Sequence, residues 1–109
     1  MYHYVRDLNL PKNKGLNGLD INKFKSQIKY LDNKYNILNP YEIHNIVKNN
    51  QTFKENDCWL TFDDGYIDHY DYVFKELMER GLWGIFCAAG DCHSRLLFGT
   101  GEASCLLVP

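Results

Sequence analysis

The sequence predicts an α/β fold, in which strands and helices alternate to form a parallel sheet or part of a (β/α) barrel. Two short runs, residues 58–62 (CWLTF) and 82–87 (LWGIFC), are almost wholly apolar, as is typical of strands covered on both faces. Segments with helical periodicity lie before the first run and between the two runs. This alternation indicates βαβ units, whose crossovers are right-handed.

The first part of the chain is predicted to form a short strand followed by a long helix. Residues 2–5 (YHYV) are aromatic and β-branched, which favours a strand. A helix with Asp20 as its N-cap follows, because apolar residues recur at spacings of three and four. Those residues are Ile21, Phe24, Ile28, Leu31 and Tyr35. Another short strand is predicted around residues 36–38.

Residues that favour helix ends predict two further helices. Asn39, Pro40 and Glu42 suit the N-cap, N1 and N3 positions of a helix that runs to about residue 49. Its buried stripe is predicted to be Ile43, Ile46 and Val47. Asp68 is predicted to cap a third helix, which stops at Gly81. Its inner stripe is predicted to be Tyr70, Phe74 and Leu77, with Glu76 and Arg80 paired on the outer face.

Composition excludes some classes of function. The 109 residues carry 12 Lys and Arg against 14 Asp and Glu, so the net charge of −2 offers no basic surface for nucleic acid. We expect no membrane span, because no apolar stretch approaches about 18 residues. No secretory signal precedes the first strand, so a cytoplasmic location is expected.

The composition changes near residue 86. Residues 87–109 contain no Lys, Asn, Ile or Tyr, which are frequent in residues 1–86, yet they hold three of the four Cys. These four absent residue types share AT-rich codons. The sequence therefore predicts that residues 1–86 belong to one domain and that residues 87–109 are an atypical tail, not native to the fold and produced by a frame change or a foreign end. A native glycine-rich loop is the alternative.

Two adjacent carboxylates follow the first apolar run. Asp63 and Asp64 stand where a strand ends, and in α/β folds reacting groups lie at that carboxyl edge. Two neighbouring carboxylates in a partly dry site either share a cation or have pKa values that are pushed apart, which suits one as a metal ligand and the other as a base. Gly65 allows a tight turn there. A pair that only caps a turn is the alternative.

The wider segment TFDDGYIDHY (61–70) resembles the first motif of the polysaccharide deacetylase family, also described as NodB homology or carbohydrate esterase family 4. MYHYVRD at the start, QIKYL (27–31) and the 79–86 segment are also similar to that family. The resemblance covers residues 1–86. It implies a partial (β/α) barrel of the polysaccharide deacetylase type, truncated to about four strands and three helices. It also implies hydrolysis of N- or O-acetyl groups on a sugar or polysaccharide substrate with a divalent metal, commonly zinc.

The resemblance assigns roles to individual residues. Asp63 matches the catalytic base and Asp64 the metal-binding aspartate. The backbone N–H of Tyr66 is a candidate oxyanion donor, and His3, at the end of the first strand, is a candidate for the same edge. Other side chains receive structural roles: His44 and His69 are expected on solvated helix faces, and Trp59 and Trp83 in the core.

The sequence departs from the family in one respect. The family's metal-binding histidines come from a later box, H-S/T-x-x-x-H or H-S/T-x-x-H, and His93 and Ser94 are not followed by its second histidine. We therefore expect that the metal is not held tightly and that this stretch is inactive as a deacetylase. Two other hypotheses stay open: a non-catalytic remnant or interaction segment, and a phosphoryl-accepting receiver domain. The receiver domain is disfavoured because no lysine follows Lys75.

Overall fold

The computed structural model describes residues 1–88 and the strand at 104–108. Its strands are β1 (Val5–Arg6), β2 (Leu19–Asp20), β3 (Asn36–Ile37), β4 (Asp57–Cys58), β5 (Thr61–Asp63), β6 (Gly84–Ala88) and β7 (Ser104–Val108). Its helices are α1 (Ile21–Lys34), α2 (Pro40–Lys48) and α3 (Lys75–Arg80), with a 3-10 turn at Pro11–Asn13 and a π-helix at His69–Phe74 that runs into α3.

Most strand pairs are parallel, as the alternation of elements predicts. β1 pairs with β2, β3 with β4, and β5 with β6, all in parallel. Tyr2 forms a further parallel bridge with Phe62, which brings the start of the chain beside β5. β7 departs from this pattern, because it runs antiparallel to β6. The described residues therefore form an α/β arrangement of mixed helices and short, mainly parallel strands.

The first two helices begin where the sequence predicts. The Asp20 carboxylate accepts a hydrogen bond from the N–H of Asn22 at the start of α1. Asn39 and Glu42 form a reciprocal capping box at the start of α2, with bonds of 2.8 and 2.9 Å. The stripe of α1 is confirmed, since Phe24 and Ile28 are fully buried. The stripe of α2 is not, because the helix has no buried residue and Val47 is 61% exposed.

The predicted strand at residues 58–62 is two strands with different partners. β4 pairs with β3, whereas β5 pairs with β6. The chain changes partner between Cys58, whose carbonyl accepts from Leu38, and Leu60, whose carbonyl accepts from Ile85. Trp59 lies at this change of partner and is 43% exposed, so its predicted core position is wrong.

An aromatic cluster centred on Phe62 forms the core. The Phe62 ring stacks on Phe86 and on Tyr2 at centroid distances of 4.7 and 5.4 Å, and Phe24 meets it edge-on at 6.1 Å. The buried members of the cluster are Val5, Phe24, Ile28, Leu60, Phe62, Val73, Leu77 and Phe86. The second residue of β5 therefore packs in the core, while the third, Asp63, ends the strand at the surface.

The third helix starts differently from the prediction. Asp68 makes no capping hydrogen bond and pairs with Arg6 instead. A π-helix over His69–Phe74 adds a residue to the turn, which shifts the inner face by one position. His69 and Val73 are buried and Tyr70 is 65% exposed, so the prediction of a solvated His69 and a buried Tyr70 is wrong. Glu76 does pair with Arg80, but it is buried, so its predicted place on the outer face is also wrong. Gly81 ends the helix with φ of 66°, as predicted.

Much of the predicted tail lies outside the described residues. Residues 89–103 and 109 are not among them, and the boundary at residue 86 stays a prediction. Within the described part, β6 extends past Phe86 to Ala88, and β7 pairs with it along all five positions. No helix within the described residues is both long enough and apolar enough to span a bilayer.

Candidate functional site

The carboxyl end of β5 turns sharply. Asp64 has φ of 73° and Gly65 has φ of 63°, so two successive residues adopt the left-handed conformation. Glycine enters this region freely, but for an L-residue it costs about 1 kcal/mol or more, and Asp is among the few that tolerate it. The two neighbouring carboxylates are thereby presented at one edge of the sheet.

His3 joins these carboxylates from the opposite end of the sequence. Its Nδ1 lies 2.9 Å from Oδ2 of Asp64, and its Nε2 lies 3.9 Å from Oδ2 of Asp63. The side chains of His3, Asp63 and Asp64 are 48%, 28% and 39% exposed, so the group is open to solvent. The imidazole contacts Asp64 closely and Asp63 only at the limit of an ion pair. Of the two carboxylates, Asp63 therefore has the weaker contact with the imidazole.

Backbone hydrogen bonds bring His3 to this position. Tyr2 donates its N–H to the carbonyl of Thr61 at 2.8 Å, and Asp63 donates its N–H to the carbonyl of Tyr2 at 2.9 Å. The segment before β1 is thus bound along β5 like an added parallel strand. The carbonyl of His3 has a different partner, Nε2 of His69.

Tyr66 lies beside the carboxylates and stacks on Tyr4, with centroids 4.1 Å apart. The guanidinium of Arg6 lies over the Tyr4 ring, 4.5 Å from its centroid, and forms an ion pair with Asp68. The hydrogen bond with Tyr4, followed by desolvation and the negative charge of Asp64, raises the pKa of Tyr66 to about 12. The Tyr66 phenol is therefore neutral near pH 7 and acts as a hydrogen-bond donor or acceptor.

The structure brings three of the four predicted site residues into one cluster. His3, Asp63 and Asp64 meet, and Tyr66 is adjacent through its contact with Asp64. Their roles, and the oxyanion role of the Tyr66 N–H, stay predictions. His69 was missed as a member of this neighbourhood. Its signal in the sequence is its place on the same ten-residue motif, but only the π-helix turns it inward.

The described residues do not complete a metal site. Among them, no group of three or more His, Cys, Asp or Glu side chains is arranged to hold a metal ion. Asp64 and His3 contact each other directly, and a catalytic zinc site uses three protein ligands. The donor set in this part of the chain therefore does not fit a tightly held divalent metal by itself.

A surface groove of about 360 Å³ lies along α1, lined by Tyr2, Ser26, Gln27, Tyr30 and Leu31. It contains no carboxylate, imidazole or thiol. Nothing in its lining resembles the chemistry at the end of β5.

Comparison with known proteins finds a structural likeness but no match in sequence. No family model matches the chain, and no curated protein matches it in sequence. Among solved structures, the chain is similar to the Streptococcus pyogenes deacetylase PplD in complex with acetate, with a TM-score of 0.62 and 26% sequence identity. The match covers 81% of this chain and 40% of that chain, so the chain spans less than half the length of the deacetylase. The likeness supports a deacetylase-like fold.

Proposed function

We propose that this chain is the N-terminal part of a metal-dependent carbohydrate deacetylase, with Asp63 as the catalytic base and Asp64 as a metal ligand. The observation that carries the proposal is the turn after β5, which presents two adjacent carboxylates at the sheet edge with Asp64 in the left-handed conformation. A general base needs an accessible oxygen, and Asp63, which His3 approaches only at 3.9 Å, meets that need.

The substrate class follows from two separate lines of support. The TFDDGYIDHY segment resembles a family that removes acetyl groups from sugars, and the structural neighbour is a deacetylase in complex with acetate. We propose an acetylated sugar or polysaccharide as the substrate of the complete protein. A divalent metal, zinc by resemblance, would supply a water of lowered pKa there.

The described residues provide only part of that machinery. Asp64 and His3 are two donors, and they are engaged with each other. We propose that residues 1–86 form the N-terminal part of a deacetylase-like domain and that the tail after them is not native to it. The chain alone should therefore release no acetate from chito-oligosaccharide or aryl acetate above a blank of metal in buffer. Acetate release that is abolished by Asp63→Asn would contradict this expectation.

A chimera tests the family assignment directly. Residues 1–86 would replace the matched segment of the S. pyogenes deacetylase, so that the remaining residues of that enzyme could complete the site. We expect acetate release under the conditions in which the parent enzyme releases it, and loss of that release in Asp63→Asn and Asp64→Asn. The matched control is Asp71→Asn, an exposed carboxylate on the π-helix. A folded but inactive chimera would contradict the proposal.

The incomplete donor set also favours a second candidate, a remnant without enzymatic activity. The same chimera separates the two. A remnant whose site has decayed would give a folded, inactive protein, whereas a truncated but otherwise competent site would regain activity.

A further inference from the structure

We infer that His69 is a positioning residue, which holds the backbone of His3 so that the His3 imidazole stays against Asp64. The inference rests on the proposed function, because it concerns the same pair of carboxylates, Asp63 and Asp64. It extends that function by assigning a task to a residue that neither the motif resemblance nor the structural neighbour explains.

Burial and aromatic contacts fix the His69 ring. The residue is 3% exposed, and its ring meets Phe62 and Phe86 at centroid distances of 5.7 and 5.9 Å and Tyr66 at 5.9 Å. It is the first residue of the π-helix, a form that is often found at functional sites. A buried ring enclosed on several sides cannot swing away without opening the core.

One hydrogen bond orients the His69 ring. Nε2 of His69 donates to the carbonyl of His3, which can only accept, so the proton sits on Nε2. Nδ1 is buried without a hydrogen-bond partner among the described residues. A proton on Nδ1 would leave a buried donor unpaired at a cost of about 1–3 kcal/mol, so the neutral Nε2–H tautomer is the one that fits.

The contact continues from the backbone of His3 to its side chain. With its carbonyl held by His69 and its neighbour Tyr2 bonded to β5, His3 has little freedom of backbone rotation. Its Nδ1 is then placed 2.9 Å from Asp64 Oδ2. His69 thus acts on the carboxylate turn through residue 3, although it lies only four positions after Gly65 in the sequence.

Two substitutions with opposite effects test the inference. His69→Phe keeps an aromatic ring in the cage and removes the donor, while His69→Gln keeps an N–H donor at similar reach and removes the ring. The readout is the pair of His3 ring ¹⁵N shifts in long-range ¹H–¹⁵N correlation spectra of the whole chain. In the native chain and in His69→Gln we expect two well-separated ¹⁵N shifts, because the proton stays on the His3 Nδ1 that faces Asp64. In His69→Phe we expect the two shifts to converge, because the two His3 tautomers then average.

A purely structural role would give a different result. Glu76→Gln, a buried polar substitution in α3, is the control that lowers stability without touching His3, and its His3 shifts should match the native ones. The inference is overturned if His69→Phe keeps the native His3 pattern, or if Glu76→Gln loses it as His69→Phe does. If His69→Phe does not fold, the ¹⁵N spectrum of the His69 ring in the native chain tests the inference instead. A proton on His69 Nδ1 instead of Nε2 overturns the inference. A proton on Nε2 that is coupled to the His3 carbonyl supports it. None of these readouts needs turnover, so they can fail separately from the proposed function.

Discussion

Glu76 and Asp64 are both carboxylates with nearby nitrogen partners, but they lie in opposite environments. Glu76 is 4% exposed and accepts from Arg80 Nε at 2.6 Å and Lys25 Nζ at 3.2 Å, so each of its oxygens has a cationic partner. Asp64 is 39% exposed, sits at a positive φ and has one imidazole against one oxygen. The first arrangement links α3 to α1, and the second leaves capacity for another ligand.

The pKa of Glu76 reflects this difference in pairing. Burial raises the pKa of the Glu76 carboxyl, but the hydrogen bonds and charges of Arg80 and Lys25 together outweigh burial and leave that pKa below its ordinary value. A buried carboxylate with both oxygens paired stabilises the folded chain. An exposed carboxylate in a strained turn is instead typical of a functional site. The two carboxylates should therefore respond differently to the same change.

The largest expected difference is in stability. Glu76→Gln should lower the free energy of unfolding by about 2 kcal/mol, because hydrogen bonds to charged groups are lost in a buried position. Asp64→Asn should change it by less than about 1 kcal/mol, the upper end for an exposed ion pair. Urea melts followed by near-ultraviolet circular dichroism measure both. Equal losses of unfolding free energy in the two variants would contradict the expected difference between the Glu76 and Asp64 carboxylates.

The turn itself should be sensitive to shape and not to charge. Asp64→Val places a β-branched residue at φ of 73° and should cost about 1–2 kcal/mol. Asp64→Gly, which removes the same carboxylate without that strain, is the matched control and should be as stable as the native chain or nearly so. Equal melting curves for Val and Gly would show that the left-handed turn is not maintained in solution.

Acid should reveal the contribution of the Glu76 carboxylate to stability. Because the pKa of Glu76 is lower in the folded chain, its stabilisation is complete above the unfolded-state value of about 4.3 and is lost as the pH falls through the folded-state pKa. The stability gap between the native chain and Glu76→Gln should therefore narrow as the pH falls below about 4.3. Urea midpoints between neutral and acidic pH test this, and a gap that widens would contradict it.

The smallest expected effect is on metal binding by the isolated chain. With two donors at the carboxylate edge, calorimetric titration with zinc should show no saturable site tighter than about 10 μM, which is weak beside structural zinc. Glu76→Gln serves as the control for non-specific binding. A tight one-to-one site that Asp64→Ala abolishes would show that the ligand set is more complete than the described residues indicate.

The sequence determined the features that depend on near neighbours along the chain. The Asp20 cap, the Asn39 and Glu42 capping box and the stop at Gly81 are local hydrogen-bonding and dihedral effects, and all three are found in the structure. The position of Asp63 and Asp64 at the end of a buried strand also followed from hydrophobic patterning, because the apolar run that ends at Phe62 predicts a strand, and Leu60 and Phe62 are buried in the structure.

Only the tertiary structure decided which distant residues meet. His3 reaches Asp64 across 61 positions because Tyr2 bonds along β5, and His69 turns inward because a π-helix shifts the face of its segment. The break at Trp59 arises because β4 and β5 have different strand partners. Strand partners and an extra residue in a helical turn depend on packing between segments far apart in sequence, and a periodicity of three, four or two residues carries no information about them.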